Sequence, residues 1–221
     1  MHMSSLIELL PELNVAFFET LLMVGIALLV AILVGMPLGI ILFVTDRGLF
    51  LENKWIKTFV GILINLIRSV PFIILLVFLL PFTQFLLGTT IGPLAASVSL
   101  SVAAIPFYAR IVESSAREID KGVIEAAVAV GASPWMIIRH IILPEAKPGF
   151  ITGLTITAIS LIGYSAMAGT IGGGGIGDLA IRYGYYRYDD TVMFTTVILL
   201  IVLVQFIQYF GDFIAKKVNK R

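Results

Sequence analysis

The chain has 221 residues, 59% hydrophobic and 13% charged, which excludes an ordinary soluble globular domain. It contains no Cys, which excludes disulfides, thiolate metal sites and cysteine nucleophiles, and neither His2 nor His140 has a metal-ligand partner at useful spacing. The net charge of +1 says little by itself; the placement of the charges along the chain says more.

A bilayer core takes about 20 apolar residues as helix. Five stretches qualify: residues 15–44, 58–80, 93–112, 149–170 and 191–214. They predict an all-α membrane protein, a single domain over 1–221, with no internal repeat and no inverted halves of the kind many carriers show. No basic region precedes the first apolar run, so no cleavable signal peptide is expected. That first run is long enough to tilt or bend, and Gly25, Gly35, Pro37 and Gly39 offer places to do so.

Within the second run stands Arg68, the one basic residue well inside a span. An intramembrane Arg costs at least about 2.5 kcal/mol on insertion scales, which makes it a functional candidate. The alternative is that the span begins later and Arg68 snorkels to the headgroups. In the third and fourth runs, Ser97 and Ser101, then Gly149, Gly153 and Thr157, form small-residue faces suited to close helix packing. A sharper reading has Ser160 and Ser165 lining a solute path.

Between those two runs lies a polar interruption, residues 113–148, which reads as a short helix, a tight break and a second short helix. Asp120 suits the N-cap of the first helix, and Gly131 the left-handed position just past its end. Ser133 and Pro134 restart the helix as cap and first helical residue, and Pro144 and Pro148 are expected to stop it. Ala126, Ala127 and Ala129 leave the first helix slim enough for another surface to approach, and Trp135, Ile138 and Ile142 recur at helical spacing in the second.

Further on, Ser165 sits in Gly163-Tyr164-Ser165-Ala166-Met167, but no span holds a His or Lys to act as base, so a serine hydrolase is excluded. Met167, flexible and apolar beside Ala166, Ala168 and Gly169, either packs in the core or closes a pore by excluding water. The run Gly172–Gly175 lacks the Lys and Ser/Thr of a phosphate loop and is expected to make tight turns at an external mouth. The segment from Arg182 to Asp190, with four tyrosines, suits the outer interface or a docking protein.

Five spans put the termini on opposite sides. One side carries only Arg182 and Arg187; the other carries Arg47, Lys54, Lys57, Arg110, Arg117, Lys121, Arg139, Lys147, Lys216, Lys217, Lys220 and Arg221. By the positive-inside rule the N-terminus faces outward, and the 113–148 loop and the C-terminus face the cytoplasm.

The spacing Glu125-Ala126-Ala127, Gly131, then Ile141, Leu143 and Pro144 resembles the cytoplasmic EAA loop of permease subunits of bacterial ABC importers. Arg68-Ser69-Val70-Pro71-Phe72, Pro106-Phe107-Tyr108-Ala109-Arg110, Gly163 to Met167 and Asp189-Asp190-Thr191-Val192-Met193 extend the resemblance to methionine importer permeases, membrane subunits of type I ABC importers. The resemblance implies a five-span permease fold working as a homodimer in the bacterial inner membrane, with two cytoplasmic ATPases and an external methionine-binding lipoprotein. It further implies alternating access, with Glu125, Ala126, Ala127, Gly131, Ile141, Leu143 and Pro144 as the coupling surface and Arg68, Ser160, Ser165 and Met167 as pathway or gate candidates. Lacking a GxxxxGK[ST] loop, the chain is not itself the ATPase; ATP and Mg belong to the partner, no cofactor is expected here, and no nucleic-acid partner is implied. The alternatives are an importer of another amino acid or small solute, or a stand-alone carrier. A scarcity of intramembrane acids speaks against ion coupling for the carrier.

Overall fold

Two prolines interrupt the first two apolar runs, with different outcomes. The computed structural model describes residues 3–219, so His2, Lys220 and Arg221 lie outside the described residues. Helix α1 (Met3–Val30) passes through a π turn (Ala31–Gly35) into α2 (Met36–Val44). Pro37 has no N–H to return to the preceding turn, and the widened turn sits directly upstream of it, so the run continues as helix. The helix starts well before residue 15, the boundary expected from hydropathy, because Glu8, Pro11 and Glu12 lower the apolarity of its first turns without breaking it.

The second run does break. Helix α3 (Lys54–Ser69) is capped by Asn53, whose Oδ1 accepts from the amides of Trp55 and Ile56. It ends at Val70, held extended (φ −88°, ψ 126°) as the residue before a proline must be. Beyond Pro71, α4 (Phe72–Phe78) leaves at 101° to α3, and α5 (Leu80–Leu87) follows. The single span drawn over 58–80 is therefore corrected to a bent pair. Among the described residues four helices are long and apolar enough to cross a bilayer, and α3 with α4, counted together as one broken span, brings the number to five.

Helix α6 (Pro93–Arg117) is the most enclosed of the long helices and forms the centre of the molecule, with α1 and α2 against one side of it. A Cβ on Gly35 would stand 2.8 Å from the carbonyl oxygen of Ile105, so only glycine allows that approach. Three short helices, α7 (Lys121–Ala129), α8 (Pro134–Ile137) and α9 (Leu143–Glu145), connect α6 to α10 (Lys147–Gly169). Gly149 and Gly153 let α10 lie on Ser115 and Ile111 of α6, and the hydroxyl of buried Tyr108 donates to the carbonyl of Phe150 at 3.1 Å. Close packing of this kind holds helices together where lipid removes the hydrophobic driving force. Helix α11 (Gly175–Leu179), a π turn (Ala180–Tyr185) and α12 (Asp190–Val218), capped by Asp189, complete the chain, with Gly211 of α12 packed on Thr155 of α10.

Candidate functional site

The 113–148 interruption folds into a knob at one end of the helix bundle. Asp120 caps α7 by accepting from Gly122 N at 2.8 Å, and Gly131 takes φ +80°. The amide of Ala132 donates to Ala127 O and that of Gly131 to Val128 O, both at 3.0 Å, which is a Schellman ending. Ser133 Oγ accepts from Met136 N and starts α8 with Pro134 in its first turn. The second helix does not stop at Pro144, contrary to expectation. A π turn (Ile138–Ile142) directly upstream absorbs the missing N–H, the chain stays helical to Glu145, and Pro148 lies in the first turn of α10.

The knob has an inner and an outer face. Ile124, Ile137 and Ile142 are buried and pin it to the bundle beside Ala116, Ile119 and Ala146. Glu125, Ala126, Gly131 and Pro144 are exposed, whereas Ala127, Ile141 and Leu143 are half-buried. Leu143 and Pro144 also line an apolar groove of about 470 Å³ with Ile32, Met36, Tyr108 and Phe150. So each half of the motif is divided: Glu125, Ala126 and Pro144 face solvent, while Ala127, Ile141 and Leu143 pack against the core. Beside the exposed EAA residues stand Val130, 83% exposed, Trp135, 65%, and Met136, 52%, an apolar patch left uncovered by the described residues.

At the root of the knob a five-residue ion network joins the end of α2 to α3 and α6, from charges scattered along the sequence. Glu113, almost fully buried, accepts from Lys57 Nζ and Arg110 at 2.7 Å and from Arg117 at 2.8 Å. Asp46 pairs with Arg117 and, at 3.4 Å, with Lys57; Arg110 also reaches Asn65 Oδ1 at 2.9 Å. Burial pushes the Asp46 carboxyl upward, but hydrogen bonds from the Arg47 amide and Arg117, with the charges of Lys57 and Arg117, outweigh it and hold it below its usual range. A local signal for part of this existed, since Arg110 and Arg117 flank Glu113 at helical spacing. Nothing in the sequence marks Lys57 or Asp46.

The pathway candidates separate. Ile156, Ser160, Gly163 and Met167 fall on one face of α10 that the rest of the chain leaves largely uncovered; Met167 is 45% exposed. Ser160 Oγ donates to Ile156 O at 2.9 Å. Ser165 points elsewhere: it is buried and its hydroxyl is satisfied by Ile162 O at 2.7 Å. Arg68 is exposed on the last turn of α3, on the wall of a cavity of about 200 Å³ with Phe72, Phe107 and Tyr164, and the Phe72 and Tyr164 rings stack at 4.6 Å and 10°.

At the opposite end of the bundle, the glycine run turns tightly, with Gly172, Gly174 and Gly175 all at positive φ. Its amides are taken up by the first helix: Glu19 Oε2 accepts from Gly175 N at 2.7 Å and Thr20 Oγ1 from Ile176 N at 2.9 Å. The sequence carries no local signal for this clip, because it joins residues 156 positions apart. Close by, Arg182 pairs with Asp178 at 2.6 Å, and Arg187 lies over the Tyr183 ring at 4.3 Å.

Comparison with known proteins gives a consistent picture. Residues 35–221 match the family described as binding-protein-dependent transport system inner membrane component. The chain is 50% identical over 206 residues to the probable D-methionine transport system permease protein MetI of Vibrio cholerae, covering 93% of this chain and 92% of that one. It is 45% identical over 212 residues to the methionine import system permease protein MetP of Bacillus subtilis, covering 96% of each. A solved structure of the inward-facing MetNI methionine ABC transporter superposes with a TM-score of 0.95 at 44% identity, over 96% of this chain and 99% of that one.

Proposed function

This chain belongs to the family of binding-protein-dependent transport system inner membrane components, and from that premise we propose that it is the membrane-spanning subunit of an ATP-driven methionine importer. Two copies form the membrane body, and each receives a cytoplasmic ATPase on its knob. An external binding protein delivers the solute at the end bearing α11, the N-terminus lies outside and the C-terminus in the cytoplasm.

The observation that carries the reading is the two-faced knob. Buried Ile124, Ile137 and Ile142 make it rigid with the bundle, while exposed Glu125, Ala126, Val130, Trp135 and Met136 lie free for a partner. A rigid lever with an apolar tip suits force transfer from a neighbour that changes shape. Glu125, Ala126, Ala127 and Gly131 form the contact, and Ile141, Leu143 and Pro144 transmit its movement to α10. The solute path follows the open face of α10, with Ser160 along it and Met167 as an apolar constriction; Ser165, one step behind, holds the wall.

The test is ATP-dependent uptake of labelled L-methionine by the complex reconstituted with its ATPase and binding protein. Gly131→Trp places a bulky group on the contact face, where nothing lies within 4 Å. Uptake should be abolished while the dimer remains intact in the membrane; unimpaired uptake by that variant overturns the coupling role.

A further inference from the structure

Arg68, on the last turn of α3, lines a cavity walled mostly by apolar side chains. Among the described residues it makes no ion pair and no side-chain hydrogen bond. Its cavity is walled on the α6 side by Ala103, Pro106 and Phe107. Ala103 is ten residues from the start of α6 at Pro93 and Phe107 ten from its end at Arg117 (103 − 93 and 117 − 107), so this wall lies roughly 15 Å from either end of the helix.

The cavity is chemically two-sided. Arg68 supplies a fork of N–H donors and a full charge, while Phe72, Tyr164, Phe107 and Leu75 supply aromatic and aliphatic surface. No acidic side chain lines it, so it is built for an anion rather than a cation. Its volume of about 200 Å³ falls below the usual range for drug-sized ligands and suits one small molecule. It opens beside the free face of α10, since Tyr164 lines it and Gly163 and Met167 lie on that face. It also sits at the 101° break between α3 and α4, where the wall is made by two segments that turn about Pro71.

We propose that this cavity is a transient binding site, one per subunit, for a zwitterionic amino acid with an apolar side chain, Arg68 pairing with the α-carboxylate and the Phe72–Tyr164 wall taking the side chain. The proposal rests on the import function above. A carboxylate is held by the guanidinium through two parallel N–H donations, and the α-ammonium faces the aromatic rings. Because Arg68 is the one charged group among the lining residues, the site is selective for solutes that carry a carboxylate, independent of what the binding protein selects outside.

The experiment measures equilibrium binding of labelled L-methionine to the permease–ATPase complex in nanodiscs, with no binding protein present. Arg68→Gln should weaken binding by at least about tenfold, with Arg68→Lys retaining part of it. Methionine amide, which lacks the carboxylate, should compete equally poorly against wild type and Arg68→Gln. Phe107→Trp fills the cavity while leaving Arg68 in place, and should weaken binding too. Affinity should be the same in zwitterionic and in anionic lipid; competition by anionic lipid would make the site a headgroup site and overturn the proposal. Retained ATPase activity and dimer elution of the variants show that they fold. Wild-type complex that drives no methionine uptake overturns the import reading, whereas uptake by wild type together with unchanged binding by Arg68→Gln overturns this site alone.

Discussion

Lys57 Nζ lies 2.7 Å from Glu113 Oε1, although 56 residues separate the two. The same ammonium donates to Leu42 O at 2.8 Å, so one side chain ties the start of α3 to the end of α2 and to α6. Because α6 leads into the knob, this tie holds the helix from which the knob extends.

Glu113 is the centre of that tie, with three cations on one nearly buried carboxylate. Glu113→Gln leaves Lys57 and Arg117 sharing Asp46 as the one remaining carboxylate in the network, with Arg110 left without an ion pair, and removing one partner of a buried pair is strongly destabilising. The cations keep partial solvent access, so the expected loss is about 2 kcal/mol rather than the full cost of a sealed pair. Thermal unfolding of the purified dimer should show a lowered midpoint, and a midpoint equal to wild type would refute the structural role. The pH dependence has a definite sign. Asp46 is held below its ordinary value of 3.8, so its share of the stability is present above that pH and is lost as pH falls through the lowered value.

At the other end, Glu19 and Thr20 hold the glycine turn by its amides. Glu19→Ala removes a charge-assisted hydrogen bond, about 1.5 to 3 kcal/mol of local stability. Amide hydrogen exchange at Gly175 and Ile176 should accelerate roughly tenfold or more, with exchange in the middle of α6 unchanged. Gly175→Ala should be worse, because the residue sits at φ +82° and a Cβ would stand 2.7 Å from Met23 Cε and Thr20 Oγ1.

The legible features were those carried by neighbours in the chain. Asp120, Gly131, Ser133 and Pro134 each act within a few residues, and each takes the structural part its chemistry suggests. The apolar runs of α6, α10 and α12 were legible for the same reason. Hydropathy has no sense of direction, so it joined α3 to α4 across Pro71 and missed the 101° turn. It also could not see the ion network or the Glu19–Gly175 clip, which are made by tertiary approach. Pro144 misled because a helix can widen by one residue upstream of a proline and carry on.

Gly131 isolates a backbone effect. Nothing lies within 4 Å of where its Cβ would be, so Gly131→Ala meets no steric clash and suffers only from φ +80°. The cost should be about 1 kcal/mol, larger for Gly131→Val and smaller for Gly131→Asn, which tolerates the left-handed region. Limited proteolysis between residues 120 and 144 should rank the variants Asn, Ala, Val in increasing susceptibility. A flat ranking would mean that the turn is not set by this residue.

Trp135 separates docking from folding. Its ring is 65% exposed and it neighbours exposed Met136, so Trp135→Ala removes little from the bundle and should shift its unfolding by no more than about 0.5 kcal/mol. Aromatic side chains at the centre of a contact carry a disproportionate share of its energy. The same substitution should therefore weaken association with the ATPase by about tenfold or more, measured by titrating ATPase subunit onto permease dimers in nanodiscs. Ile137→Ala makes the opposite comparison: Ile137 is 1% exposed and its truncation opens a cavity beneath the knob, costing about 2 to 4 kcal/mol of stability. If Trp135→Ala leaves ATPase affinity unchanged while Ile137→Ala destabilises as expected, the knob is a brace for the bundle and the partner docks elsewhere.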